Sequence, residues 1–252
     1  MKHTRISEKV QELLLIGGLV FTLLYFGIAS ATPQGPTGVV NLANSTKGNT
    51  SAFVVNISGG YISTFIINAT TQNVRWKAHV GNVTGKLTLD DATGATIYDW
   101  TLASTSTSGE IYATRNSSTP LWTAIKCANN SLLEKEDVYL AQTNPDDNIS
   151  KTFNSTGSHA SFLIGSVTIS ANTCPTLNTY VNNVSQDTRF EEMALTDSGN
   201  FTLNGSIIYA SILEQDRQGY NAAFYDFQLL LPENGGASWT SSTAYYIYVE
   251  LT

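Results

Sequence analysis

An uncharged apolar run at residues 13–31 (LLLIGGLVFTLLYFGIASA) constrains this chain more than any other stretch. Three cations, Lys2, Arg5 and Lys9, stand in front of it. Apolar transfer free energy draws such a run into a membrane, and the preceding cations stay on the cytoplasmic side. The sequence therefore predicts that residues 32–252 are exported and fold at the cell surface or outside the cell.

Two interpretations of residues 1–31 stay open. The apolar run is close to the roughly 20 residues that cross a bilayer as a helix, which favours an uncleaved membrane anchor. Ala29-Ser30-Ala31 matches the small-residue pattern at which a signal peptide is cleaved, and Pro33 stops a continuing helix. On either interpretation the chain meets the membrane only through this segment.

The charge of the remaining chain excludes two classes of partner. Residues 32–252 contain 18 acidic and 10 basic residues, a net charge of −8. Nucleic-acid phosphates need Lys and Arg to replace their counterions, so we expect no nucleic-acid partner. The same acidity argues against electrostatic docking onto anionic lipid.

Asparagine is placed in an unusual pattern. Ser and Thr together number 57 of 252 residues, so about five of the 21 Asn would begin an Asn-x-Ser/Thr sequon by chance. Twelve do, which predicts an N-glycosylated exterior, although Asn, Ser and Thr also cluster because all three favour turns. The twelve are Asn44, Asn49, Asn56, Asn68, Asn82, Asn116, Asn129, Asn148, Asn154, Asn183, Asn200 and Asn204.

Two cysteines, Cys127 and Cys174, are present. An even, sparse count in an oxidising compartment predicts one disulfide. The rival interpretation is a metal pair or a catalytic thiol. No Cys-x-x-Cys spacing occurs and neither cysteine has an adjacent His, so the disulfide is favoured.

Hydrophobic periodicity predicts an all-β fold. Residues 32–52 are rich in Pro, Gly and small polar residues and are predicted to form a flexible extended segment. Within this segment Val39, Val40 and Leu42 form a short apolar stretch. It is predicted either to pair within its own domain or to be donated as a strand to a neighbouring subunit.

Residues 53–252 are predicted to form a β-sandwich or jelly-roll-like body, as one domain or as two packed β subdomains. Alternation predicts a hairpin over 53–67, a strand over 74–80 and a hairpin over 86–100 that turns at Gly94. Short helices are predicted at 132–140 and 190–195. Trp76 and Trp100 are predicted to be core residues.

Several runs of the body resemble a family of archaeal secreted surface proteins of uncharacterised function. This resemblance implies an exported β fold and carries over no catalytic residue. More loosely, the leader, the extended N-terminal segment and the dense sequons are similar to archaeal surface-filament subunits that assemble by donated N-terminal strands. The runs are VVNISGGYIS, QNVRWKAHVGNVTGKLTLDDATGATIYDW, GEIYATR, NISKTFNSTGSHASFLIGSVTI, CPTLNTYVNN, YDFQLLLPENG and TAYYIYVEL.

No sequence motif identifies a catalytic site. His79 and His159 are expected to be ordinary exposed histidines, because neither has the neighbours that a catalytic triad needs. A secreted β-fold hydrolase would need two carboxylates, and spacing alone pairs none of those available. They are Asp90, Asp91, Asp99, Glu110, Glu191, Glu192, Glu214 and Asp216. Trp239, in a Gly-rich loop, is the aromatic residue that would serve a carbohydrate-binding module.

One loop contains residues that could bind calcium. Asn144, Asp146 and Asn148 place oxygen ligands at alternating positions of one loop. An EF-hand would then need Gly and Glu where Ile149 and Ser155 stand, so an irregular structural site is the most that the pattern allows.

The sequence as a whole therefore predicts a non-enzymatic structural protein of the cell surface, a filament or coat subunit that binds copies of itself or other surface proteins. The first alternative is a monomeric carbohydrate-binding or adhesion module, and the second is the hydrolase.

Overall fold

The structure is a computed structural model, and part of the chain lies outside its description. It describes residues 32–48, 50–100, 108–142, 146–154, 158–177, 180–181, 184–185, 190–198, 200–203, 205–234 and 242–252. The predicted leader, residues 1–31, lies outside the described residues, as do Asn49, Asn144, Asn183, Asn204 and Trp239. Among the residues described, no helix is both long enough and apolar enough to cross a membrane.

The described residues are mostly β-strand with few helices, as the all-β prediction requires. The helices are α1 (Asn130–Tyr139), α2 (Ile149–Thr152) and a 3-10 turn at Trp122–Ala124. The strands are β1 (Trp76–Gly81), β2 (Leu87–Asp90), β3 (Thr96–Trp100), β4 (Gly109–Thr114), β5 (Lys126–Cys127), β6 (Phe162–Ile164), β7 (Val167–Ile169), β8 (Thr176–Leu177), β9 (Tyr180–Val181), β10 (Val184–Ser185), β11 (Glu192–Thr196), β12 (Ile208–Ile212), β13 (Arg217–Gln218), β14 (Phe224–Tyr225), β15 (Phe227–Pro232) and β16 (Tyr246–Leu251).

A six-stranded antiparallel sheet organises the body. Its order is β16-β4-β12-β11-β5, and β8 also pairs with β11, so β5 and β8 lie end to end along one edge of β11. The strand β16 forms the opposite edge and pairs with β4 along its whole length. Five further two-stranded pairs are described: β1-β15, β2-β3, β6-β7, β9-β10 and β13-β14.

Successive side chains of a strand point to opposite sides of the sheet. Both faces of this sheet are covered by other elements of the chain. On one face Ala113, Ala194 and Tyr209 pack with buried side chains of α1, α2 and β15, including Leu133 and Leu231. The other face packs against the 3-10 turn and the β6-β7 hairpin. Its core contains Tyr112, Trp122, Ile164, Met193, Leu195, Ile208 and Ala210.

Helix α1 is fixed to the sheet by an ion pair that is almost completely buried. Both nitrogens Nε and Nη2 of Arg115, which directly follows β4, donate to the Glu136 carboxylate at 2.7 Å. The Arg115 guanidinium also lies over the Tyr139 ring, 4.4 Å from its centroid. The predicted helix over 132–140 is confirmed as α1, which begins two residues earlier and ends one residue earlier.

The predicted helix over 190–195 is wrong, because Glu192–Thr196 form β11 in the centre of the sheet. Its Glu, Met, Ala and Leu residues favour a helix locally. Pairing with β12 on one side and with β5 and β8 on the other overrides that preference, and every residue of the strand is buried.

The two predicted hairpins have different outcomes. The hairpin over 86–100 is confirmed as β2-β3, with Gly94 at a positive φ of 83° in its turn. The hairpin over 53–67 is wrong for the chain alone, since a turn forms at Gly59-Gly60 but the arms contain no strand. Trp76 packs against Phe153 as predicted, whereas Trp100 is 47% exposed and is not a core residue.

The structure contains the disulfide that the sequence predicts, between Cys127 and Cys174. Cys127 is the last residue of β5 and Cys174 lies two residues before β8, so the bond joins the two short strands that share one edge of β11. This connection holds together an edge that is built from two separate pieces of chain.

We expect that replacing both cysteines by serine lowers the free energy of unfolding by about 4 kcal/mol, because the bond closes a 47-residue separation in the unfolded chain. Urea denaturation of the double variant and of the oxidised wild type measures the difference. The reduced wild type is the control and should match the variant. Equal midpoints for the variant and the oxidised protein would contradict a stabilising role.

Candidate assembly surface

A protruding loop, here called the finger (residues 50–69), is the most exposed apolar feature of the described chain. Polar contacts close its base: the Lys47 N–H donates to Gln72 Oε1 at 2.9 Å, and the Lys47 ammonium donates to the Thr70 carbonyl at 3.1 Å. The chain turns at the tip, where Gly60 takes a positive φ of 88°. Two arms of uncovered apolar residues therefore lie between a closed base and a tight turn.

The base of the finger is also attached to the body. The side chains of Asn73 and Arg75 both donate to Asp147 Oδ2 at 2.9 Å. The Trp76 indole N–H donates to the Asp147 carbonyl at 2.8 Å. The finger therefore leaves the body from a fixed point just before β1.

The apolar side chains of the finger and of the segment before it face solvent. Twelve of them each expose between 47% and 97% of their surface. Together they present on the order of 1,000 Å² of apolar area to solvent. The twelve are Val39, Val40, Leu42, Phe53, Val54, Val55, Ile57, Tyr61, Ile62, Phe65, Ile66 and Ile67.

The predicted donor residues Val39, Val40 and Leu42 are part of this surface, and none of them lies in a strand. The uncovered stretch continues past the predicted boundary at residue 53, up to Thr71. Sequence analysis missed residues 53–67 as part of the surface, because their alternating pattern also fits a strand of the body.

The N-terminal end of the extended segment is held at the sheet edge. Gln34 and Val249 of β16 exchange both backbone hydrogen bonds, at 2.8 and 3.0 Å, in a single antiparallel bridge. Pro33 is buried beside it. Among the residues described, Gln34 alone pairs with the outer side of β16.

A second uncovered apolar surface is formed by the β2-β3 hairpin. Leu87 lies opposite Trp100 and Leu89 lies opposite Tyr98, so these four side chains share one face. The Tyr98 and Trp100 rings are 5.0 Å apart in an edge-on arrangement. All four side chains are exposed, and no other described strand pairs with the hairpin.

A pair of buried carboxyl groups lies beneath the edge strand. Glu110 of β4 stands directly opposite Glu250 of β16, and both side chains are buried beside Tyr112. Burial, with the charge of Glu250 in second place, raises the pKa of Glu110 to about 8. Burial also raises the pKa of Glu250, which accepts hydrogen bonds from the Gly165 N–H and the Tyr112 hydroxyl. Glu250 was not singled out by sequence analysis, because only the register of β16 on β4 brings it to Glu110.

The sequon asparagines that the structure describes are accessible. Asn116 and Asn148 are half-buried, and the other seven are exposed: Asn44, Asn56, Asn68, Asn82, Asn129, Asn154 and Asn200. Where Asn116, Asn129 and Asn148 cap a turn or helix, they accept through Oδ1. These bonds do not use Nδ2, the atom to which an N-linked sugar is attached.

The described calcium candidates, Asp146 and Asn148, have different surroundings. Asn148 Oδ1 caps α2 by accepting from the Lys151 N–H at 3.0 Å, and Asp146 is exposed. Asn144 lies outside the described residues. Within the described part of the chain no group of three or more His, Cys, Asp or Glu residues could hold a metal ion.

The two histidines also differ from each other. His79 is exposed on β1, as expected. The expectation of an exposed His159 is wrong, because it is 3% exposed and its Nε2 accepts from the backbone N–H groups of Thr173 and Cys174 at 2.9 and 3.0 Å. It orders the loop that carries the disulfide.

The raised pKa of Glu110 predicts the pH dependence of stability. The folded state holds its proton up to about pH 8, whereas the unfolded chain loses it near pH 4.5. The stability that the protonated Glu110 carboxyl contributes is therefore fully present below about pH 4.5 and is lost as the pH rises to about 8. We expect Glu110→Gln to be more stable than wild type at pH 7, by on the order of 3 kcal/mol, and the two to converge at pH 4.

Thermal unfolding at pH 4, 5.5, 7 and 8 measures this difference. Glu134→Gln, at an exposed position of α1, is the control and should follow the wild-type curve. A wild type that gains stability from pH 5 to 8 relative to Glu110→Gln would contradict the buried pair.

A scan against protein-family models, a search of curated proteins and a search of solved structures each find no match for this chain. The resemblance to archaeal surface proteins therefore stays a prediction.

Proposed function

We propose that this chain is an exported, glycosylated structural protein of the cell surface, a subunit that assembles into an extracellular filament or coat by donating a strand to a neighbouring copy. The observation that carries this proposal is the finger, whose apolar side chains are uncovered in the single chain. A neighbour that accepts one arm as a strand would remove those side chains from water.

The composition of the finger suits this role. Residues 48–74 contain no Asp, Glu, Lys or Arg, so burying them against another chain desolvates no charge. In the arm 61–67 apolar residues fall on both sides of an extended chain, at Tyr61, Phe65 and Ile67 on one side and at Ile62 and Ile66 on the other. Strands buried on both faces have this pattern. The predicted donor residues Val39, Val40 and Leu42 lie nearer the anchored end at Gln34.

The other parts of the proposal follow from the same exported setting. We interpret the body as sandwich-like, since the six-stranded sheet packs against β1-β15 on one side and against β6-β7 on the other. Residues 1–31 would direct export and give the only membrane contact. The accessible sequon asparagines support a glycosylated surface, and the acidic charge supports partners other than nucleic acid.

A second candidate function, a carbohydrate-binding module, is favoured by the exposed rings of Tyr98 and Trp100. Their edge-on arrangement offers less of a flat stacking platform than two coplanar rings would. A monomer that binds glycans through these residues and forms no polymer would favour this alternative over assembly.

We expect a Val55→Asp/Ile67→Asp variant, which places one carboxylate in each arm of the finger, to remain monomeric, because a carboxylate cannot enter an apolar acceptor without a large desolvation penalty. Negative-stain electron microscopy and sedimentation velocity of protein from the native host surface measure assembly. Thr50→Asp adds a charge outside the apolar arms and is the matched control, which should assemble like wild type. Filaments of normal length from the double variant would sink the proposal.

Glycopeptide mass spectrometry of the native protein should find sugar on the exposed sequons of the finger, Asn56 and Asn68. Asn41, in the segment before the finger, is also exposed but begins no sequon, so it should be unmodified. Unmodified asparagine at all seven exposed sequons would contradict the glycosylated surface.

A further inference from the structure

We infer that the β2-β3 hairpin is the acceptor for the finger of a second copy of this chain, and that residues 53–57 of that copy add to it as a third strand. This inference rests on the proposed function and names the surface that receives the donated segment. It is carried by two uncovered apolar surfaces of one chain that match in length, pattern and charge.

The hairpin is incomplete as a unit of structure. A two-stranded hairpin is marginally stable in water, and three strands or a covering element are needed for independent stability. In β2-β3 the apolar face formed by Leu87, Leu89, Tyr98 and Trp100 contacts solvent. Among the residues described, no other strand pairs with it, so the unpaired backbone groups of its edges are available to a further strand.

The arm 53–57 has the pattern that this face requires. In an extended strand Phe53, Val55 and Ile57 share one side, which would continue the apolar face of the hairpin. Val54 and Asn56 point to the other side, so the Asn56 sequon stays in solvent even when the arm is bound. Five residues are also the length of β3.

Charge favours a second copy meeting at this place. The chain carries a net charge of −7, so two copies repel each other over most of their surfaces. The finger contains no charged residue, and the apolar face of the hairpin contains none. The nearest ion pair, Lys86–Asp99, involves Asp99, which alternates to the opposite face of β3. Contact between finger and hairpin therefore brings no carboxylates together.

The addition is a β-augmentation, in which backbone hydrogen bonds provide affinity and alternate side chains provide specificity. Because each copy holds one donor and one acceptor at different places, the contact is head-to-tail. Such a contact propagates into a filament unless the rotation between copies closes a ring.

The test uses two complementary variants of the full chain. Tyr98→Ser/Trp100→Ser removes the aromatic part of the acceptor face, and Phe53→Ser/Val55→Ser removes the apolar side of the donor arm. The matched controls are Ile97→Ser in β3 and Val54→Ser in the arm 53–57. Both residues alternate to the side opposite the altered pair, and they are 82% and 84% exposed. Amide exchange in β4 and β12 confirms that each variant folds.

We expect both double variants to lose polymer at least tenfold by sedimentation velocity, while both controls assemble like wild type. An equimolar mixture of the two double variants should form a one-to-one dimer that does not elongate, because it contains one working donor and one working acceptor. That dimer is the result that a general loss of stability would not give.

Three results would overturn the inference. If the Tyr98/Trp100 variant polymerises normally while the Val55/Ile67 variant described above does not, the hairpin is not the acceptor and the proposed function stands. If the finger variants all polymerise, the inference and the proposed function both fail. If the hairpin of dilute monomer is protected from amide exchange, and Phe53→Ser/Val55→Ser removes that protection, the finger binds its own chain and not a second copy.

Discussion

Burial of the central sheet on both faces is the constraint on which the rest of this structure depends. Strand β4 is buried at every position, with Tyr112 on one face and Ala113 on the other. Each face needs its own cover, and the chain provides α1, α2 and β15 for one and the β6-β7 hairpin for the other. The disulfide and the Arg115–Glu136 pair both secure elements to this sheet.

A sheet without a solvent face leaves no room for charged side chains at positions that point inward. Glu110 and Glu250 are nevertheless placed opposite each other there, and Glu192 is buried on the other face with the Leu230 N–H as a hydrogen-bond donor to its carboxyl. Burial raises the pKa of Glu192 well above its ordinary value. Burial therefore favours the protonated form of these carboxyl groups.

The sequence predicts those parts of the fold that are encoded locally. The β2-β3 hairpin follows from alternation and from Gly94, and α1 follows from a helix-favouring run. The disulfide follows from the count of cysteines. Features that depend on pairing between distant segments could not be predicted from local sequence. The residues of β11 favour a helix locally, and only their pairing with β12, β5 and β8 makes them a strand. The Glu110–Glu250 pair exists only through the register of β16 on β4.

The segment 53–67 shows why the predicted hairpin and the observed finger have the same origin. Its alternation of apolar and polar residues fits a strand with one buried face. The pattern does not specify which chain covers that face. In the body every strand of the central sheet finds that face within the chain. The finger finds no such buried face among the described residues, although it contains apolar side chains as β4 and β15 do. We propose that a second copy covers this segment, because its apolar side chains are exposed, and among the described residues the apolar face of β2-β3 is also uncovered.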